Sequence, residues 1–221
     1  MNIISNISNS IIFLPLITAF LCLLISRFAP ILFFINNISI ILLTIALAIL
    51  LNINNSDFNH ISSSKALSLT LNYNFNLINL TFIFLISIVK FILAIFSRNM
   101  QEIINNNNNK SAFYALCSLN FFAIIGILTA DNIINIYFFI EIYSLSFFAL
   151  SYYSKNVNLH KTSFRYLCCS LVSSILLLFV IAILVINFNQ YQFQDLGLRI
   201  KEDLGLDSQI LSILLLYIIF L

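Results

Sequence analysis

Apolar residues in this chain gather into long unbroken stretches separated by short polar segments. The stretches run over residues 11–26, 31–53, 75–97, 112–130, 132–153 and 166–187. A helix needs about 17–25 such residues to cross the hydrocarbon core of a bilayer. Five stretches meet that length outright, and 11–26 meets it by extending slightly into its polar flanks. The alternation of an outer-membrane β-barrel is missing, and the runs are too long for barrel strands. Pro30 stands just before the second stretch, where its missing N–H costs nothing. The pattern predicts an all-α, polytopic transmembrane helix bundle. It has six full spans, forming a single transmembrane domain over residues 1–221. A seventh apolar run begins at residue 209 and is truncated at Leu221.

The polar segments are short, with three exceptions. Residues 54–74 read as a polar loop with Asp57, His60 and Lys65. Residues 98–111 hold the asparagine run Asn105 to Asn109, which reads as a solvated loop. Residues 188–208 carry Asp195, Arg199, Lys201, Glu202, Asp203 and Asp207. Within that last segment Phe193, Leu196, Ile200 and Leu204 recur at helical spacing among charges. Residues 191–206 therefore read as a short interfacial helix or a plain amphipathic loop helix.

Composition supports the lipid reading. Of the 221 residues 61% are hydrophobic and 8% are charged, against about a quarter charged in a soluble domain. A fold of this length lacks the interior to hide so much apolar surface from water. With no basic stripe and no charge run, nucleic acid is not an expected partner. Cys22, Cys117, Cys168 and Cys169 all lie in apolar runs without metal or disulfide spacing, and read as small buried hydrophobes. Three glycines make no phosphate loop, and there is no metal-ligand cluster or nucleophilic triad. No catalytic centre, metal or cofactor is expected.

Two charged residues lie inside the spans and each needs a reason, because insertion of such a group costs at least about 2.5–3.5 kcal/mol. Glu141 is tenth in its run of 22, near the bilayer midplane, and is too short to reach water. Its charged form is disfavoured there. It reads either as a group that gains and loses a proton or as a hydrogen-bonded structural carboxyl. Lys90 lies about 10 Å along the helix from one end of its run, so its long side chain is expected to extend to the interface. A water-filled path and an ion pair with Glu141 are the alternatives. Measured from the same membrane face, Glu141 lies about 14 Å deep and Lys90 about 22 Å deep, so direct pairing is not expected.

Asp131 and Asn132 sit between two apolar runs and read as a tight turn that caps the Glu141 helix, or as the mouth of an ion path. Ser144, Ser146, Ser170, Ser173 and Ser174 allow close helix approach or hold water. Of these, Ser144 and Ser174 are candidates for the pathway of Glu141. His60 and His160 read as solvated loop residues.

At this point a family resemblance emerges. Ala130 to Leu150, ADNIINIYFFIEIYSLSFFAL, resembles the signature helix of antiporter-like membrane subunits. These occur in NADH-quinone oxidoreductase (respiratory complex I), membrane-bound hydrogenases and Mrp-type cation/proton antiporters. Asp131, Asn135, Glu141, Ser144 and Leu145 match the pattern, and Glu141 falls on the fifth helix, as in the family. The following FRYLCCSLVSS is similar to the family's basic residue, Tyr and paired small residues opening the sixth helix. Residues 191–206 fall where the family has a short interhelical segment. The resemblance covers roughly residues 70–221 and is nearest to the Mrp D-type subunit or the quinone-end complex I subunit. The family's seventh-helix Lys, the Phe-Pro-x-His-x-Trp-Leu-Pro-type stretch and the second inverted bundle do not occur in this chain.

The resemblance implies a membrane subunit of a proton- or cation-translocating complex, with Glu141 as proton relay. It implies protons or monovalent cations as cargo, and the bilayer and other membrane subunits as partners. The competing reading is a truncated, non-transporting remnant or a structural membrane subunit. The implied location is a bacterial plasma membrane or an organellar inner membrane.

Orientation follows from Lys and Arg in the short loops. One side collects Arg27, Arg98, Lys110, Lys155, Lys161 and Arg165; the other collects Lys65, Arg199 and Lys201. The first side is predicted to be cytoplasmic, with the N-terminus outside. Reporter fusions near residues 60, 105 and 158 test this. Residue 60 should report outside and the other two inside; a cytoplasmic reporter at 60 would reverse the topology.

Overall fold

The computed structural model describes residues 2–53, 60–66, 69–100, 107–152, 157–188 and Gln192. Six α-helices follow in chain order: α1 (Asn2–Leu24), α2 (Ala29–Ile53), α3 (Leu77–Met100), α4 (Asn107–Thr129), α5 (Ile133–Tyr152) and α6 (Val157–Phe188). All six are long and apolar enough to cross a membrane. The seventh apolar run and the segment 191–206 lie outside the described residues, Gln192 excepted.

The helices overrun the apolar stretches at their polar ends. The α4 helix begins at Asn107, so part of the asparagine run is helical and not loop. The α6 helix begins at Val157, nine residues before its apolar stretch. Its first turns carry His160, Lys161 and Arg165. A helix of this length spans about 48 Å, more than the hydrocarbon core, so a polar end outside that core is the natural result. His160 is therefore a helical residue, not a loop residue, and its ring packs at 4.5 Å from that of Tyr152.

The chain divides into two compact units, residues 1–129 and 130–221. In the first, α1 to α4 pack together, with α1 and α2 joined by a single 3-10 turn over Ser26–Phe28. Pro15 lies inside α1 and removes one ladder donor. Pro30 occupies the first turn of α2, where no such bond is lost. One core cluster joins Cys22 of α1, Ala29 and Phe33 of α2, Ala94 of α3, and Tyr114 and Ala115 of α4. The small alanines let the helices approach, and the Phe33 and Tyr114 rings meet at 5.3 Å. In the second unit α5 packs on α6. Many large apolar side chains of α6, among them Ile175, Phe179 and Ile186, remain exposed. That is the expected surface of a helix solvated by lipid.

The segment read as a polar loop contains a β-hairpin. Strand β1 (His60–Ala66) pairs antiparallel with β2 (Leu69–Phe75), in a register that sets His60 opposite Phe75 and Ala66 opposite Leu69. His60 is thus a strand residue. The β2 sequence alternates strictly between Leu, Leu, Tyr, Phe and Thr, Asn, Asn. That period of two is the signature of a strand with one buried face, and Tyr73 and Phe75 are both buried. The hairpin contacts α1 and α4 and closes one end of the first unit.

Burial of the β2 face predicts a contrast in stability. Phe75→Ala should destabilise the purified protein by about 3–5 kcal/mol, the usual cost of removing a buried aromatic ring. Leu85→Ala, on the lipid-exposed side of α3, should cost less than about 0.5 kcal/mol. Thermal unfolding in detergent checks both values.

Candidate functional site

The second unit builds its polar site on α5. The helix starts with a side-chain cap: the Asn132 Oδ1 accepts the Asn135 backbone N–H at 2.7 Å. This satisfies one of the four donors left unpaired at a helix N-terminus. The capping predicted for the Asp131–Asn132 turn is thus made by Asn132. Asp131 is buried beside it. Asn132 also forms an isolated antiparallel bridge with Gln192, which ties the start of α5 to the chain beyond α6.

Two turns into α5 stands Glu141, partly buried. Its Oε1 is shielded from solvent and has no hydrogen-bond partner. One turn earlier on the same face is Tyr137. Residues four apart on a helix are neighbours, and the Tyr137 hydroxyl lies within interaction reach of the Glu141 carboxyl group. The same hydroxyl lies within reach of Ser174 of α6. The result is a continuous polar line from Glu141 through Tyr137 to Ser174, across the α5–α6 interface. The Ser174 hydroxyl also has an alternative acceptor in the Leu171 carbonyl of its own helix, at 3.1 Å. A single hydroxyl proton serves one of the two at a time. Such a rotor can exchange partners without moving the helix.

Among the predicted residues, then, Glu141 and Ser174 come together through a third group. Tyr137 was not singled out by sequence reasoning, although its spacing from Glu141 is the signal that finds it. Ser144 behaves differently: its hydroxyl donates to the Glu141 backbone carbonyl at 3.0 Å, one turn back on its own helix. It is buried and does not join the carboxyl line. Ser146 and Ser173 likewise have backbone acceptors in their own helices, Tyr143 O and Cys169 O.

Lys90 belongs to the first unit and departs from expectation. Its ammonium does not extend to the interface. It turns onto α4 and donates to Asn120 Oδ1 at 3.1 Å. The amide acceptor lies on the adjacent helix, within closer reach than the end of the span, and it supplies the hydrogen bond that a buried ammonium requires. No group of three or more His, Cys, Asp or Glu that could hold a metal ion occurs among the described residues.

Residues 130–221 match the family model of the NADH:quinone oxidoreductase/Mrp antiporter transmembrane family. The match begins at Ala130, where the signature stretch begins, and takes in Tyr137, Glu141 and Ser174. The chain thus resembles that family as its sequence suggested, and the family model covers 92 of its residues. No curated protein matches the chain. Among solved structures it is similar to a chain of the membrane-bound sulfane sulfur reductase, an archaeal respiratory membrane complex. The TM-score is 0.76 at 20% identity. The similarity covers 91% of this chain and 40% of that one, and it establishes a shared fold. The chain spans about 40% of the length of the protein it matches.

The polar line generates a test of its own. Tyr137→Phe keeps the ring and removes the hydroxyl shared by Glu141 and Ser174. It should cost about 0.5–1.5 kcal/mol, the net worth of a typical hydrogen bond. Adding Ser174→Ala should then change little, because its partner is already gone. Thermal unfolding of the two single variants and the double variant measures the coupling; additive losses would mean that the two side chains act separately.

Proposed function

We propose that this chain acts as a membrane subunit of a proton- or cation-translocating complex of the NADH-quinone oxidoreductase or Mrp antiporter type. Glu141 is its proton-binding relay. The observation that carries the reading is the half-satisfied carboxyl group of Glu141. It sits mid-span within the family-matched segment, with the Tyr137 hydroxyl beside it and Oε1 shielded and unpartnered. A purely structural carboxyl at this depth is stabilised when every polar atom is paired. An unpaired oxygen beside a hydroxyl line suits a group that receives and releases a proton.

In this reading Glu141 takes up the proton and Tyr137 holds the carboxyl orientation through its hydroxyl. Ser174, able to bond either Tyr137 or Leu171 O, opens and closes the line at the α6 side. The partners are other membrane subunits, the cargo is a proton or monovalent cation, and the membrane is a bacterial plasma membrane or an organellar inner membrane. The N-terminus faces outside.

One observation favours a second reading. The Glu141–Tyr137–Ser174 line crosses the α5–α6 interface and would hold two helices together in a structural, non-transporting subunit.

Glu141→Gln separates the two. Gln keeps size and polarity but cannot carry a proton. In the assembled complex the relay reading expects translocation to fall by about a hundredfold or more, as when a positioned proton-transfer group is lost. Membrane abundance should stay near wild type. Wild-type transport in the variant would remove Glu141 from the pathway, and loss of the protein from the membrane would establish the structural role.

A further inference from the structure

In the first unit Lys90, hydrogen-bonded to Asn120, falls at nearly the same helix level as Asn36 and Asn37. Two aromatic contacts set its level. The rings of Phe34 on α2 and Phe91 on α3 meet at 5.0 Å, and those of Phe33 on α2 and Tyr114 on α4 at 5.3 Å. The α2 and α3 helices run antiparallel, so two steps forward from Phe34 and one step back from Phe91 move in the same direction. At about 1.5 Å per residue, Asn36 and Lys90 end within about 1.5 Å of the same level. Residues three and four apart share a helix face. Asn36 and Asn37 therefore share the face of Phe33, and Lys90 shares the face of Ala94. Phe33 and Ala94 belong to one core cluster with Tyr114. The polar side chains form the next layer of that same core.

The hydrogen bonding of this layer is incomplete. Asn36 is 1% exposed and Asn37 is fully buried. Neither Nδ2 nor Oδ1 of Asn36 has a protein partner, nor does Asn37 Oδ1. The Asn37 Nδ2 is occupied, donating to the Phe33 carbonyl at 3.0 Å. Lys90 uses one N–H on Asn120 and carries three donors in all. The free groups are thus two acceptor oxygens, one amide donor group and the remaining ammonium donors.

That mixture selects its ligand. An anion would be met by the ammonium but repelled by the two amide oxygens, and a metal cation would be repelled by the ammonium. A water molecule donates and accepts, and buried waters make about two to four such bonds. We propose that Asn36, Asn37, Lys90 and Asn120 form a hydrated intramembrane site, in which bound water links the α2 amides to the Lys90 ammonium. Water is what allows a cation to be kept inside the first unit, none of whose described residues is a carboxylate. The site is independent of Glu141 and stands whether or not that residue relays protons.

The first test is radiolytic hydroxyl labelling of the full-length protein in membranes prepared in oxygen-18 water, which marks side chains next to bound water. Phe33 and Cys117, beside the layer, should be labelled several-fold above Phe121, which is fully buried. Labelling of Phe33 and Cys117 no greater than that of Phe121 would overturn the proposal. The second test is a cycle of Asn36→Leu, Lys90→Met and the double variant, read by melting temperature. Each single variant removes the water's partners on one side and should melt several degrees lower. The double variant should recover most of that loss. A rise in melting temperature with Asn36→Leu alone would mean that the amide is dry and merely tolerated, and would overturn the site as well. Should either single variant fail to accumulate, the labelling contrast in the wild-type protein decides by itself.

Discussion

A polar group facing hydrocarbon must find its partner within the protein, since lipid offers no hydrogen bond in return. Among the described residues the backbone meets this demand with six helices. The short hydroxyl side chains meet it by turning back onto their own ladders. Thr18 bonds to Pro15 O, Ser87 to Phe84 O, Ser118 to Tyr114 O and Thr129 to Ile125 O. Each spends its one donor three or four residues away, which leaves the helix surface effectively apolar. Such residues can be scattered through a span at little cost. A carboxyl, an ammonium or an amide has too many bonding positions to be fully satisfied this way: Asn37 gives its Nδ2 to the Phe33 carbonyl and still keeps an oxygen unpaired.

Those exceptions organise both units. In the second, Glu141 reaches Tyr137 on its own helix and, through it, Ser174 on α6. In the first, Lys90 reaches Asn120 across the α3–α4 interface. Polar side chains thus cross helix boundaries at the places where the local ladder is not enough.

Several expectations drawn from the sequence did not match the fold, each for a physical reason. The hairpin was hidden because its residues are polar enough to read as loop. Its alternation over Leu69 to Phe75 carries a period-two signal that a search for long apolar runs passes over. The early start of α6 was hidden because helical hydrogen bonding continues after the side chains turn basic, so hydropathy marks the hydrocarbon boundary and not the helix end. Lys90 was expected at the interface because the reach of a side chain can be read from sequence, whereas an acceptor on a neighbouring helix cannot.

By itself the sequence determined the spans, their number among the described residues, the cap at Asn132 and the placing of Glu141 within a span. Each of these depends on residues close together along one helix, where spacing is geometry. Only the tertiary structure decided which helices share a unit, that Ser174 stands at the end of Glu141's line through Tyr137, and that Lys90 faces Asn120. These depend on the rotation and register of one helix against another. That choice is set by many small packing contacts, such as Phe33 on Tyr114 and Phe34 on Phe91, which a linear pattern of apolar residues leaves open.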